Sequence, residues 1–254
     1  MLREARMRRE SERDSHGFRL RGREVTRLEA FSDAVFAFAL TLLVVSLEVP
    51  KTFGELVETM RGFVAFGVCF AILAMIWNHH YLYSRRFGLE DGFVRFLTCA
   101  MLFVVLAYVY PLKFLFNLFI NGMILGGQLT HAEASTLFVI YGLGFAAIYL
   151  AFAALYLHAW RRRVELELTD CEMLDTRWEI YAMLCHASVG VASALVALVI
   201  NQVGLAGFVY FSLFVVMSIH RVLHGRKRRD ESGDAGDVSR TPQRGVPTLL
   251  RAIF

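Results

Sequence analysis

Two short stretches hold polar side chains whose placement demands a chemical reason. The first, Arg27-Leu-Glu-Ala-Phe31-Ser32-Asp33, opens directly into the apolar run Ala-Val-Phe-Ala-Phe-Ala-Leu-Thr-Leu-Leu-Val-Val. A carboxylate near the start of a membrane span is costly unless it has a partner, so Asp33 must face protein, water or a cation. On a helix Arg27 and Asp33 stand about 240° apart, poorly placed to bond each other, and each is expected to reach a different neighbour. The second stretch, Trp77-Asn78-His79-His80, closes the next apolar run. Its side chains can hydrogen-bond across helices at the depth of Asp33. A packing network of Arg27, Asp33 and His79 or His80 is therefore expected, with the plain structural ion pair as the blander reading of Asp33.

Metal and enzyme chemistry find little support. Adjacent histidines point about 100° apart on a helix, and no Cys or carboxylate follows His79-His80 at ligand spacing, so no metal is expected. His158, His186 and His220 are scattered and read as core or interface residues. The four cysteines include no C-x-x-C pair, which argues against disulfides and zinc. There is no G-x-S-x-G, no H-E-x-x-H and no paired carboxylate on one helix face, so the chain is not expected to be an enzyme or to need a cofactor.

The elements that carry these residues follow from composition. The 254 residues are 56% hydrophobic even without counting 19 glycines, and mean hydropathy is +0.48. Soluble domains run at about 45 to 50% with glycine included. Apolar runs of membrane-spanning length fill the space between an Arg-rich start and an Arg-rich tail, the pattern of an all-α polytopic membrane protein. Six transmembrane helices are predicted: Thr26 to Leu47, Phe63 to Tyr83, Val94 to Phe116, Thr136 to Trp160, Ile180 to Ile200 and Leu205 to Leu223. Thr26-x-x-Glu29 has capping-box spacing and sets the first start. Pro111 should kink the third helix or end its regular part. Glu55 to Arg61 reads as an amphipathic turn before the second span.

With both termini cytoplasmic, all but Lys51, Arg61 and Lys113 of the 27 Lys and Arg fall on the cytoplasmic side, and an even number of spans fits that asymmetry. The net charge of +4 lies in blocks beside apolar runs, which speaks for topology control rather than nucleic-acid binding. Three regions result: a basic cytoplasmic arm over 1–25, whose block of Arg3, Arg6, Arg8, Arg9 and Arg13 reads as disordered or a frayed helix; a six-span domain over 26–223; and a disordered cytoplasmic tail over 224–254. The tail's basic start, Arg226 to Arg229, reads mainly as a stop-transfer cluster, with anionic-lipid contact as the second reading. The first apolar run is too long for a signal-peptide core and is expected to stay in the mature protein. No internal repeat is visible.

The pair of motifs, Arg27-x-x-x-Phe31-Ser32-Asp33 leading into the first span and Trp77-Asn78-His79-His80 closing the second, resembles the transmembrane protein 175 family of potassium channels over roughly residues 25 to 225. The resemblance implies a bacterial-type member with one six-helix unit per chain, a homotetramer in the cytoplasmic membrane whose first helices line a central pore. In that family permeation is controlled by rings of apolar side chains rather than a T-V-G-Y-G filter, and this chain has no T-V-G-Y-G. Counted from the aspartate, the family's pore-facing positions fall on Phe38, Leu42 and Val45.

Their i, i+4, i+7 spacing independently forms one stripe about 60° wide, although any such apolar set also packs a core. Asp33 lies about 140° from Phe38, a direction that favours a structural role within the bundle. Thr41 flanks the stripe and offers a hydroxyl oxygen. Phe38 departs from the family's usual Ile or Leu, and four aromatic rings are bulkier than four aliphatic ones. Leu43 and Val44, off the stripe, are expected to pack.

The function implied is a potassium-permeable channel gated by stacked hydrophobic constrictions, passing monovalent cations across the lipid bilayer. The alternative is a proton- or cation-coupled secondary transporter. It would want an inverted repeat and midplane carboxylates, whereas Asp33 and Glu48 lie near opposite ends of the first helix.

Overall fold

The structure, a computed structural model, describes residues 13–14, 17–45, 51–125, 130–200, 207–213, 215–220, 222–225 and 227. Apart from one isolated bridge between Arg13 and Arg19, these residues form helices and the turns between them. Five long helices follow in order: α1 (Arg27–Val45), α2 (Phe53–Phe87), α3 (Gly92–Leu125), α4 (His131–Arg161) and α5 (Asp170–Leu195). A π-helical turn over Val196–Ile200 continues α5, and a shorter apolar helix, Val209–Gly225, comes last.

The starts of these helices share one chemistry. Thr26 and Glu29 close a reciprocal box at α1, the Glu29 carboxylate accepting from the Thr26 N–H at 3.0 Å and the Thr26 hydroxyl from the Glu29 N–H at 3.2 Å. The same T-x-x-E spacing makes capping boxes at Thr130/Glu133 and Thr169/Glu172. At α2, Thr52 accepts from the Glu55 N–H. These contacts satisfy backbone donors that a helix start otherwise leaves unpaired. Asp91 serves α3 in the same way, accepting from the N–H groups of Phe93 and Val94 at 2.9 and 3.1 Å. Gly88, at φ 59°, ends α2 in the left-handed conformation that glycine adopts without strain.

Among the described residues, four helices are long and apolar enough to cross a membrane: Phe63–Phe87, Gly92–Leu112, Ala132–Arg161 and Asp170–Val199. Six were expected. The difference lies in the first and last, because α1 carries Arg27, Glu29 and Asp33 in its first two turns and Val209–Gly225 is shorter. Boundaries also move, with α4 starting at His131 and α5 at Asp170, ahead of the predicted Thr136 and Ile180. Helix α3 continues through Pro111 to Leu125, since a proline removes one ladder donor without forbidding helix beyond it. Glu55 to Arg61 belong to α2 itself and form no separate turn. Cys171 sits in the first turn of α5, and among the described residues no two cysteines form a disulfide.

The core runs the length of the bundle on aromatic and branched side chains, among them Tyr83, Met101, Tyr149, Phe152 and Tyr156. Helices α4 and α5 approach at two glycines. A Cβ on Gly142 would collide with the Gly190 carbonyl oxygen, and one on Gly190 would lie 2.7 Å from the Gly142 oxygen. Backbones this close leave no room for side chains between them.

Residues 17–25 pack against the helical bundle as a strap. Phe18 is buried, edge-on to Phe87 at 5.5 Å, with the Arg86 guanidinium 5.1 Å from its ring centroid. The Arg21 and Gly22 N–H groups both donate to the Arg85 carbonyl at 3.0 Å, and Arg85 returns bonds to the carbonyls of Gly22 and Arg23. Arg21 pairs with Glu172 at 2.7 Å. This strap crosses the C-terminal end of α2 and the start of α5, then runs straight into α1. The remainder of the arm, Arg3 to Arg9, and all of the tail past 227 lie outside the described residues.

Candidate functional site

Helix α1 is covered by its own chain on one side only. Ser32, Phe36, Ala39 and Leu43 are buried, at the i, i+4, i+7, i+11 spacing of a single helix face. Within that line the Ser32 hydroxyl donates to the Leu28 carbonyl at 2.8 Å. The other face is open: Arg27, Phe31, Asp33, Ala34, Ala37, Phe38 and Thr41 are exposed. Phe38 has 57% of its surface free.

Thr41 lies about 170° from the middle of the buried line, at the centre of the open face. Leu42 is half-buried at the edge, and the Val45 side chain lies outside the described ones. The open face is thus wider than the Phe38, Leu42 and Val45 stripe and is centred on Thr41. Leu43 is buried in the core, and Val44 is 50% exposed in the single chain. The Thr41 hydroxyl donates to the Ala37 carbonyl at 2.8 Å, which leaves its oxygen lone pairs directed away from the helix ladder.

Asp33 is exposed, and its carboxylate accepts the Trp77 indole N–H at 2.7 Å. Trp77 stacks on Tyr81 at 5.6 Å. His80, one helical turn from Trp77, is buried and meets Phe36 of α1 at 6.4 Å. His79 turns the other way, between Tyr149 (6.1 Å), Phe152 (5.8 Å) and His186 (6.4 Å). Residues i and i+3 share a helix face while i+2 points across it. The tetrapeptide is therefore divided: Trp77 and His80 meet α1, and His79 belongs to the interior of α4 and α5. Asn78 is exposed, and no bond joins Arg27 to Asp33. Among the described residues no group of three or more His, Cys, Asp or Glu side chains could hold a metal ion.

A second polar centre escaped the sequence, at the turn between α2 and α3. Asp91 accepts from His158 Nε2 at 2.7 Å and from Arg162, while Arg162 also pairs with Glu165. Partial burial pulls the Asp91 carboxyl upward, but the His158 contact and the two backbone N–H donors outweigh it and bring it down to about 2. Alongside, Arg86 bonds Asp14 at 2.9 Å and Glu179 at 3.1 Å, tying strap, α2 and α5 together. Apart from Arg162 and Glu165, the partners stand 67 to 93 residues apart in the chain, a separation that no local spacing reveals.

Residues 27–108 match the family described as "Endosomal/lysosomal potassium channel TMEM175". A potassium channel of Marivirga tractuosa is 38% identical over 228 residues, covering 84% of this chain and 92% of that one. A potassium channel of Streptomyces collinus is 33% identical over 145 residues, 54% of this chain and 66% of that one. Among solved structures, a variant of the potassium channel MtTMEM175, crystallised with a Nanobody-MBP fusion protein, superposes with a TM-score of 0.73 at 37% identity. The match covers 82% of this chain and 97% of that one.

Proposed function

Since the chain belongs to the TMEM175 family, we propose that it is a potassium-permeable channel of the cell membrane, a homotetramer whose α1 helices surround a central pore. The observation that carries this reading is the open face of α1. A helix that buries Ser32, Phe36, Ala39 and Leu43 against its own chain and leaves Phe38 and Thr41 uncovered needs something on its other side. Four α1 helices around one axis supply both the partner surface and the pore.

Six apolar segments, α1 and Val209–Gly225 included, cross the bilayer, with both termini on the cytoplasmic side as the Lys and Arg distribution requires. Phe38, Leu42 and Val45 form stacked apolar rings. Such a ring expels water, and an ion stripped of its hydration there meets a large desolvation cost until the ring widens. Potassium, more weakly hydrated than sodium, is favoured. The four Thr41 oxygens, their protons already given to Ala37, accept the cation beside the constriction. Asp33, held by Trp77, fixes the angle of α1 against α2 and touches no ion. The bulk of Phe38 deepens the closed state. Permeation on this scheme involves no cofactor and no bond-making.

Purified protein in liposomes with an outward potassium gradient tests the proposal. Flux that is larger for potassium than for sodium supports it. Uptake that occurs only when a second ion gradient is imposed would establish a coupled transporter instead.

A further inference from the structure

Three arginines at the end of the bundle that holds the strap are paired with carboxylates: Arg21 with Glu172, Arg86 with Asp14 and Glu179, Arg162 with Asp91 and Glu165. Arg163, in the turn after α4, and Arg177, in the second turn of α5, are exposed, and among the described residues neither is paired with a carboxylate. Both converge on one indole. The Arg163 guanidinium carbon lies 5.3 Å from the Trp160 ring centroid and that of Arg177 lies 5.7 Å from it. The aromatic face attracts each cation while two like charges held near one ring repel, so an anion that reaches both guanidinium groups is favoured there.

What lies below the pair identifies the anion. On α4, Leu143, Leu150 and Leu157 form an exposed line that ends at Trp160. On α5, Tyr181, Leu184, Val191 and Leu195 continue from Arg177 along the same helix face. Two apolar tracks thus run away from a cationic head, each along a helix of membrane-spanning length. A tryptophan at the rim of such tracks marks the interface between hydrocarbon and water.

We propose that Trp160, Arg163 and Arg177 bind the headgroup of an anionic phospholipid whose acyl chains lie along α4 and α5. Guanidinium forks match phosphate oxygens in pairs, and the two tracks match two chains. Free phosphate would use the arginines but not the tracks. The site rests on the reading of α4 and α5 as membrane spans and lies apart from the α1 face.

The test uses the full-length protein, stripped of lipid in neutral detergent, with dioleoylphosphatidylglycerol or dioleoylphosphatidylcholine added back. Phosphatidylglycerol should raise the unfolding midpoint several degrees above phosphatidylcholine. The double variant Arg163→Gln with Arg177→Gln should keep the native midpoint in phosphatidylcholine and lose at least half of the increment. Arg163→Lys with Arg177→Lys should recover part of it, and Arg95→Gln, an exposed arginine on α3, should leave it whole.

Three results would overturn the site: the Gln pair retaining the full increment, inorganic phosphate producing the same increment, or the Gln pair changing oligomer size in phosphatidylcholine, which would make the face an interface between copies. Potassium flux of the Gln pair in phosphatidylcholine vesicles should equal native flux. Absence of flux from the native protein in every lipid would count against the channel and not against the lipid site.

Discussion

The Trp77 indole donates to the Asp33 carboxylate across 2.7 Å, binding α2 to the first turns of α1. A bond of this kind, with a charged acceptor at an exposed position, contributes about 1 kcal/mol. It also sets the direction in which Phe38 and Thr41 face, because both lie on α1 within the next two and a half turns.

Asp33→Asn and Trp77→Phe should each lower the yield of folded oligomer. The double variant should be no worse than the more severe single one, since both remove the same contact. Size-exclusion profiles and thermal midpoints of the three variants check this. Additive losses, or normal assembly with altered ion selectivity alone, would contradict a purely positional role for Asp33.

Phe18→Ala should release the strap. A fully buried phenylalanine removed from its site costs about 3 to 5 kcal/mol, more than the exposed bonds around it restore. Limited trypsin digestion should then cut at Arg19, Arg21 or Arg23 much faster than in the native chain. An unchanged digestion rate would mean that the ion pairs of Arg21 and Arg86 hold the strap without it.

Asp91 makes stability depend on acid. Its carboxyl is depressed from 3.8 to about 2 in the folded chain. A group depressed on folding stabilises above its unfolded value, and that contribution is lost as pH falls through the folded value. Asp91→Asn should therefore lower the thermal midpoint at pH 7, with the gap from the native chain beginning to close below about pH 4 and lost as pH falls below about 2. A gap that stays constant over this range would show that the carboxylate charge does not matter there.

Gly142→Ala and Gly190→Ala should both disrupt the α4–α5 contact, because the added methyl meets a backbone carbonyl that has nowhere to move. Overpacking of this kind costs about 1 to 3 kcal/mol. Gly54→Ala, at the exposed start of α2 with nothing within 4 Å, should be neutral or mildly stabilising. Thermal midpoints of the three variants separate crowding from helix propensity.

How far the fold could be read in advance depends on how local each signal is. The apolar runs and Thr26-x-x-Glu29 are contiguous patterns, and α1 to α5 follow from them with shifted ends. The same threonine–glutamate spacing at Thr130 and Thr169 lies ahead of the apolar runs that begin at Thr136 and Ile180, outside the segments that hydropathy marks. The strap was not legible, because Phe18 is a lone aromatic in a charged stretch and acquires meaning only beside Phe87. Helical spacing places Trp77 and His80 on one face, but which neighbour His79 meets depends on where α4 and α5 fall. At the pore face, periodicity marks a stripe at Phe38, Leu42 and Val45, whereas the width of the open surface around Thr41 is set by how much of α1 the other helices cover.

The most direct measurement of the central claim is ion flux through liposomes carrying Phe38→Asn, Leu42→Asn and Leu43→Asn beside the native chain. If α1 lines a dewetting pore, Phe38→Asn and Leu42→Asn raise the leak and weaken discrimination of potassium over sodium, because water and either ion remain in the constriction. Leu43→Asn, buried on the opposite face, lowers the folded yield without opening a leak in what does fold. Folded Phe38→Asn and Leu42→Asn proteins with native flux and native selectivity would contradict the account and remove α1 from the pore.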